Sequence, residues 1–278
     1  MMELISQIKT KYKIRSSGIH RFGRKIVMNF EVGPYLVKTA ETTQELLECF
    51  KLRDLVFNKE FRGLENTTYD FDQFDSQCDH IIIIHKTSGK IVGTYRLNSS
   101  LYSKSFYTEQ EFKISDLKHF SGPILELGRA CIQKEHRKGS VIALLWKGIA
   151  EYMNISKAQT LFGCSSVKVT ECRDAALIYH YLMINGHVDL NIKATPQAEY
   201  EMPKFAVWLE YFQKNFTQEL SDEAKNLIPS LLNAYLKIGA KIIAEPALDE
   251  DFNCIDFLTL LKREQLSKSA EKKYGVEN

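Results

Sequence analysis

Helical and strand periods alternate along the chain. The segment PYLVKTA (34–40) reads as a strand, and Thr42 with Glu45 forms a capping box that opens an amphipathic helix over 45–61, ELLECFKLRDLVFNKEF. Two apolar runs, CDHIIIIH (78–85) and KIVGTYRL (90–97), flank Thr87-Ser88-Gly89, a hairpin turn signal. The unbroken run Ile81–Ile84 predicts a strand covered on both faces, which places this hairpin at the centre of a sheet.

PILELGRACI (123–132) predicts a further buried strand, and the loop HRKG (136–139) leads into a helix over 141–154, too long to be a strand. A strand over 160–169 and helices over 173–183 and 204–215 follow. The segment 221–240 reads as one helix, with Ser221 at its cap, acids in its first turn, Lys237 in its last, Gly239 beyond it and Pro229 as a kink. KIIAEPAL (241–248) and FNCIDFLTLL (252–261) read as closing strands. Such mixing predicts an α/β (α+β) fold around one mixed sheet flanked by helices. We expect a basic arm over 1–33 and a single domain over 34–278, with the part from about residue 200 packed on the same sheet.

Composition narrows the class. A chain of 278 residues that is 44% apolar and 26% charged can bury a core without staples. The balance of 37 Lys+Arg against 35 Asp+Glu offers no whole-molecule field for nucleic acid. The charge is uneven, however. Residues 1–25 carry seven basic side chains against Glu3, leaving the body at −4. Such an arm suits a peripheral contact with anionic membrane, where each basic residue contributes roughly 1 kcal/mol, or an acidic partner; a frayed, solvated terminus is the alternative. No run is long enough for a membrane span or a signal-peptide core, and the six cysteines are scattered without a CxxC. A cytoplasmic protein with reduced thiols is expected.

The sequence has no GxSxG elbow, no HExxH and no P-loop, and its seven histidines form no recognisable metal set, so neither a metal nor a bound cofactor is expected. What needs explaining is charge in or beside apolar strands: Arg53, Arg96, Glu126, Arg129, and the loop acids Asp70, Asp72 and Asp75. Glu126 and Arg129, three apart in an extended chain, face opposite sides. One reading is an internal ion-pair network of Arg53 and Arg96 with Asp72, Asp75 and Glu126. The other is a site whose carboxylates hold and deprotonate an amine, while Arg and backbone N–H groups bind a phosphate or polarise an acyl carbonyl. The start of the helix after HRKG is where such N–H groups would be found.

The succession RDLVF (53–57), DFDQFD (70–75), CDHIIII, GTYRL (93–97), FYTEQEF (106–112), ELGRACI (126–132), HRKG, LLWKGIAEY (144–152) and LFGC (161–164) resembles the bacterial N-acyl amino acid synthases. These are the ornithine lipid N-acyltransferases, often labelled hemolysin-like, within the GCN5-related N-acyltransferase superfamily. The closing segment 239–261 is also similar, so the resemblance covers roughly 34–275. A more distant similarity is to acyl-homoserine lactone synthases, whose charged pattern recurs at Arg53, Phe57, Asp70, Asp72, Asp75, Arg96, Glu126 and Arg129, with Asp70 in place of Glu.

The resemblance implies a splayed mixed sheet with a C-terminal helix–strand extension. It also implies transfer of a long-chain, 3-hydroxy or plain, acyl group to the α-amine of an amino acid: ornithine first, then glycine or lysine. The donor is the 4'-phosphopantetheine thioester of acyl carrier protein, its arm near ELGRACI and its phosphate at Arg137, Lys138, Gly139 and Ser140. Glu126 is then the first choice of base, with Asp72 and Asp75 holding the ammonium or ordering the loop. Arg96 and Arg129 bind the amino acid's carboxylate or brace those acids; Arg53, Phe57, Asp70 and Phe106 line the substrate. Backbone N–H groups around Cys131 and Ile132 stabilise the oxyanion. Two other functions remain open: an autoinducer synthase making a lactone, and a non-enzymatic membrane-perturbing protein.

Overall fold

In the computed structural model, residues 18–137 and 139–276 are described; most of the basic arm (1–17) and Lys138 lie outside them. The strands are β1 (Asn29–Val32), β2 (Tyr35–Thr39), β3 (Asp79–His85), β4 (Lys90–Ser99), β5 (Phe112–Lys113), β6 (Ile124–Ile132), β7 (Thr160–Val167), β8 (Thr195–Pro196), β9 (Lys241–Ile242), β10 (Ala247–Asp249) and β11 (Cys254–Lys262). The α-helices are α1 (Thr43–Arg53), α2 (Ser140–Ser156), α3 (Cys172–Ile184), α4 (Phe205–Asn215), α5 (Gln218–Leu227), α6 (Ser230–Lys237) and α7 (Lys268–Tyr274). The fold is the mixed α/β arrangement the sequence predicts. None of its described helices is long and apolar enough to cross a membrane.

The chain forms two compact units, one of residues 18–104, 127–157 and 274–276, the other of 105–126 and 158–273. In the first, the order is β1-β2-β3-β4-β6, antiparallel from β1 to β4, with the β3–β4 hairpin in the middle as expected. Ile81, Ile82 and Ile83 are fully buried because β3 is covered on both faces. Ile82 packs with Leu46, Cys49 and Phe50 of α1. Ile81 faces Gly148 of α2, where an added Cβ would come within 3.2–3.3 Å of it. The capping box is present: Thr42 Oγ1 accepts the Glu45 N–H and Glu45 accepts the Thr42 N–H.

Several boundaries differ from expectation. The α-helix gives way after Arg53 to a π-helical turn over Asp54–Phe61. Residues 18–33 contain β1, and they pack: Ile19 is fully buried, and the N–H groups of Lys25 and Ile26 donate to Asp79 at 2.8 and 3.0 Å. The expected helix over 221–240 is two helices, because Pro229, without an N–H, breaks the chain and sits at the N-cap of α6; the cap of α5 is Thr217 rather than Ser221. KIIAEPAL contains β9 and the start of β10 rather than one strand.

In the second unit, Ile124–Glu126 of β6 pair in parallel with Thr160–Phe162 of β7, and β11 pairs antiparallel with both β7 and β10. One face of these strands carries an apolar cluster that includes Phe106, Phe112, Phe162, Leu258 and Leu260. The opposite side of the unit is closed by α3 to α6 around Phe205, Phe212, Leu232 and Phe257.

Candidate active site

Six of the sequence-selected residues meet in the first unit. Arg53, at the C-terminus of α1, is wholly buried; its Nε donates to Asp70 Oδ1 at 2.7 Å, and its two terminal nitrogens donate to Asp75 at 2.6 and 3.1 Å. Arg96 on β4 donates to Asp72 at 2.6 and 2.7 Å and to Asp75 at 3.1 Å. Arg129 on β6 donates to Asp72 Oδ2 at 3.2 Å and lies 3.8 Å from Asp70. Asp75 also accepts the Asp72 N–H at 2.7 Å, and Asp72 accepts the Phe74 N–H at 2.9 Å, so the loop is closed on its own carboxylates.

Arg129 has φ 52°, a left-handed backbone rare for a residue with a Cβ, and the alternation of β6 is interrupted there. This local strain goes with an ion pair to the loop acids that regular strand geometry does not predict.

Three guanidinium groups beside three carboxylates set the electrostatics. Burial acts to raise the Asp75 carboxyl, but Arg53, Arg96 and His80 outweigh it and hold the group far below the usual carboxylate range. Asp72 follows the same pattern: burial raises it, Arg96 and Arg129 lower it further, and the net is downward. Burial brings the His80 imidazole down to about 4, so at neutral pH it is uncharged; its Nε2 lies 3.0 Å from the Asp75 carbonyl oxygen.

Glu126 has different partners from those the ion-pair reading assigns it. In the second unit its carboxylate accepts the N–H of Tyr107 at 3.1 Å and of Thr108 at 2.7 Å, fixing the start of the 3-10 turn Tyr107–Gln110. Phe106, just before that turn, is buried edge-on against Phe162, 5.1 Å between ring centres. Phe57 packs in a small apolar cluster with Leu52, Val56 and Cys131. The Cys131 thiol is buried and pushed well up by desolvation. The Ile132 carbonyl accepts from Arg137 Nε at 2.9 Å, while the terminal Arg137 nitrogen pairs with Glu60 at 2.5 Å. Gly139, at φ 86°, is the N-cap of α2, followed by the exposed Ser140; among the described residues no side chain caps this helix, and its first turn has no acid.

Sequence reasoning missed a second group of buried acids. Asp249, Cys254 and Asp256 have donor atoms within 4.8 Å of one another, close enough for a metal ion. Burial first, then Asp256 and Asp249, push the Cys254 thiol well above its ordinary range, so a metal would have to displace a firmly held proton. Glu111 is nearby: burial, then the charge of Asp256, raise its carboxyl to about 8. The i, i+2 spacing of Cys254 and Asp256 was a visible signal that the two share a strand face.

The mixed sheet and the charged cluster on it belong to a recognisable class, for residues 52–147 match the model of the acetyltransferase (GNAT) domain. Along most of its length the chain is similar to proteins named L-ornithine N(alpha)-acyltransferase. With that of Brucella abortus (strain 2308) it shares 30% identity over 267 residues, 88% of this chain and 90% of the relative. With that of Agrobacterium fabrum (strain C58 / ATCC 33970) the figures are 27%, 265 residues, 88% and 87%. The chain belongs to the L-ornithine N(alpha)-acyltransferase family and is an acyltransferase of the GNAT class. Among solved structures it is similar to TofI in a ternary complex with an inhibitor and MTA, at 12% identity, TM-score 0.48, covering 88% of this chain and 98% of that one. It is also similar to FeeM, an N-acyl amino acid synthase from uncultured soil microbes, at 9% identity, TM-score 0.45, covering 88% and 99%.

Proposed function

We propose that the protein transfers a long-chain fatty acyl group, 3-hydroxylated in the first instance, from acyl carrier protein to the α-amine of ornithine. The observation that carries this reading is the 30% identity over 88% of the chain with a relative named for that acceptor. The N-terminus of α2 supports a phosphate-bearing donor, since its N–H groups and the helix dipole favour an anion at Gly139 and Ser140. The arm, which lies mostly outside the described residues, would meet the acidic carrier or an anionic membrane.

In this reaction the amine nitrogen attacks the thioester carbonyl carbon, the C–S bond breaks, and the carrier thiol leaves with a proton. An α-ammonium of pKa about 8 must first lose its proton to a carboxylate. Asp72 and Asp75, held ionised by Arg53, Arg96 and Arg129, order their own loop and are poor proton acceptors. Glu126 is the proposed base, its carboxylate oriented by the N–H groups of Tyr107 and Thr108. Direct attack is preferred over an acyl-cysteine because desolvation keeps both Cys131 and Cys164 protonated. The test is purified protein with 3-hydroxyacyl carrier protein and a pool of amino acids, read by mass spectrometry. N-acylornithine is expected; a homoserine lactone product, or none, refutes the proposal.

A further inference from the structure

Among the buried side chains around the acidic loop, His80 of β3 has as yet no role. It is fully buried, and its ring lies edge-on to Phe22, 6.1 Å between ring centres, and to Phe50, 5.8 Å. A carbonyl oxygen only accepts, so the 3.0 Å contact with the Asp75 carbonyl puts the imidazole proton on Nε2. Nδ1 is then a bare acceptor, and among the described residues nothing donates to it. A phenylalanine would fill the same space between aromatic rings without burying an orphaned nitrogen, a state that costs free energy. What the imidazole adds is the Nε2–H bond to Asp75.

That bond leads to the open side of the charged cluster. Asp75 accepts the Asp72 N–H at 2.7 Å, and the Asp72 carboxylate accepts in turn from Arg96 and Arg129. The side chains of Asp72 and Arg129 are 22% and 15% exposed, whereas those of Asp75, Arg53 and Arg96 are at most 3% exposed. With Asp70, they are the part of the cluster that a solute can reach.

We propose that His80 is a positioning residue for the acceptor amino acid: its Nε2–H fixes the Asp75 peptide, Asp75 fixes Asp72, and Asp72 with Arg129 meets the acceptor. An uncharged imidazole suits this role, because it donates a hydrogen bond without unbalancing three guanidinium groups and three carboxylates. Its own nitrogen reaches no substrate.

The inference rests on the amino acid N-acyltransferase reading above, and its test separates the two. Three variants of the full chain are compared with wild type. His80→Phe refills the space without a donor, His80→Gln keeps an N–H that can reach the Asp75 carbonyl, and Ile19→Ala loosens the apolar cluster around Phe50 without touching the bond. The readouts are the KM for ornithine and for 3-hydroxyacyl carrier protein, the melting temperature, and the rise in melting temperature that ornithine induces. His80→Phe should raise the KM for ornithine roughly tenfold, the worth of one hydrogen bond, with the donor KM unchanged and the ornithine-induced rise lost. His80→Gln should keep both near wild type, and Ile19→Ala should lower the melting temperature alone. A wild-type KM in His80→Phe overturns the proposal, as does a KM raised as far in His80→Gln or Ile19→Ala, for the effect would then follow from packing. If His80→Phe does not fold, His80→Gln must still hold the wild-type KM, and a raised one overturns the proposal. Should the unaltered protein acylate no amino acid, the functional reading falls and ornithine binding decides: a thermal shift kept in His80→Gln and lost in His80→Phe upholds the positioning role, and no shift in wild type overturns it.

Discussion

Glu111→Gln removes one buried titrating group and replaces it with a near-isosteric neutral side chain. In the unfolded chain a glutamic acid titrates near 4.5, whereas burial and then Asp256 raise Glu111 to about 8 in the fold. A raised carboxyl favours the folded state only while protonated. Its contribution is therefore whole below pH 4.5, declines as pH rises, and is lost by pH 8. At ~1.4 kcal/mol per pKa unit, the loss over that window is roughly 3–5 kcal/mol, of which about 2–3 kcal/mol falls between pH 5 and 7. Urea unfolding of wild type and Glu111→Gln at pH 5, 6, 7 and 8 measures this, because all other titrations are common to both and cancel. The stability difference should move toward the variant by about 2–3 kcal/mol from pH 5 to 7. Parallel profiles would show that the carboxyl titrates normally and refute the reasoning.

Asp75→Asn leaves Arg53 buried beside a lost counter-charge and should cost about 3–5 kcal/mol in urea unfolding, whereas Asp72→Asn, at the half-open edge of the cluster, should cost less. Cys131→Ser and Cys164→Ser should retain most acyl transfer; an acyl-cysteine trapped in turnover by mass spectrometry would contradict direct attack. Deleting residues 1–17 should weaken binding to anionic liposomes or carrier protein at low salt, with the melting temperature read alongside. Extending the deletion to residue 26 should lower it, because Ile19 is core and the N–H groups of Lys25 and Ile26 hold Asp79.

Local signals were legible in the chain. The capping box at Thr42 and Glu45, the Ile81–Ile84 run and the turn at Thr87–Gly89 each depend on neighbours a few residues away, and each is present. The charged positions were legible as anomalies, since Arg53, Arg96 and the loop acids had to find partners once buried. Which partners they found was not: Arg129 reaches Asp72 from a left-handed residue in a strand, and Glu126 turns to backbone N–H groups nineteen and eighteen residues back. The second acidic group was invisible for a related reason. Asp249 and Asp256 meet only through the antiparallel pairing of β10 with β11, and Glu111, whose carboxyl responds to the charge of both, lies more than a hundred residues earlier in the chain.

The two sets of buried acids differ in the property that matters for acyl transfer to an amine. Guanidinium groups hold Asp72 and Asp75 ionised far below neutrality, so they can attract an ammonium but have almost no affinity for its proton. Glu111, without such a partner, holds a proton up to about pH 8, close to the pKa of the amine that must be deprotonated. Proton transfer is most effective between groups so matched. In the proposed reaction Asp72 and Asp75 are therefore poor proton acceptors, and the proton falls to a carboxyl without a guanidinium partner. Asp72→Asn should then lower the rate without moving the acid limb of its pH profile, whereas Glu111→Gln should move that limb; the reverse pattern would place the proton on the loop acids instead.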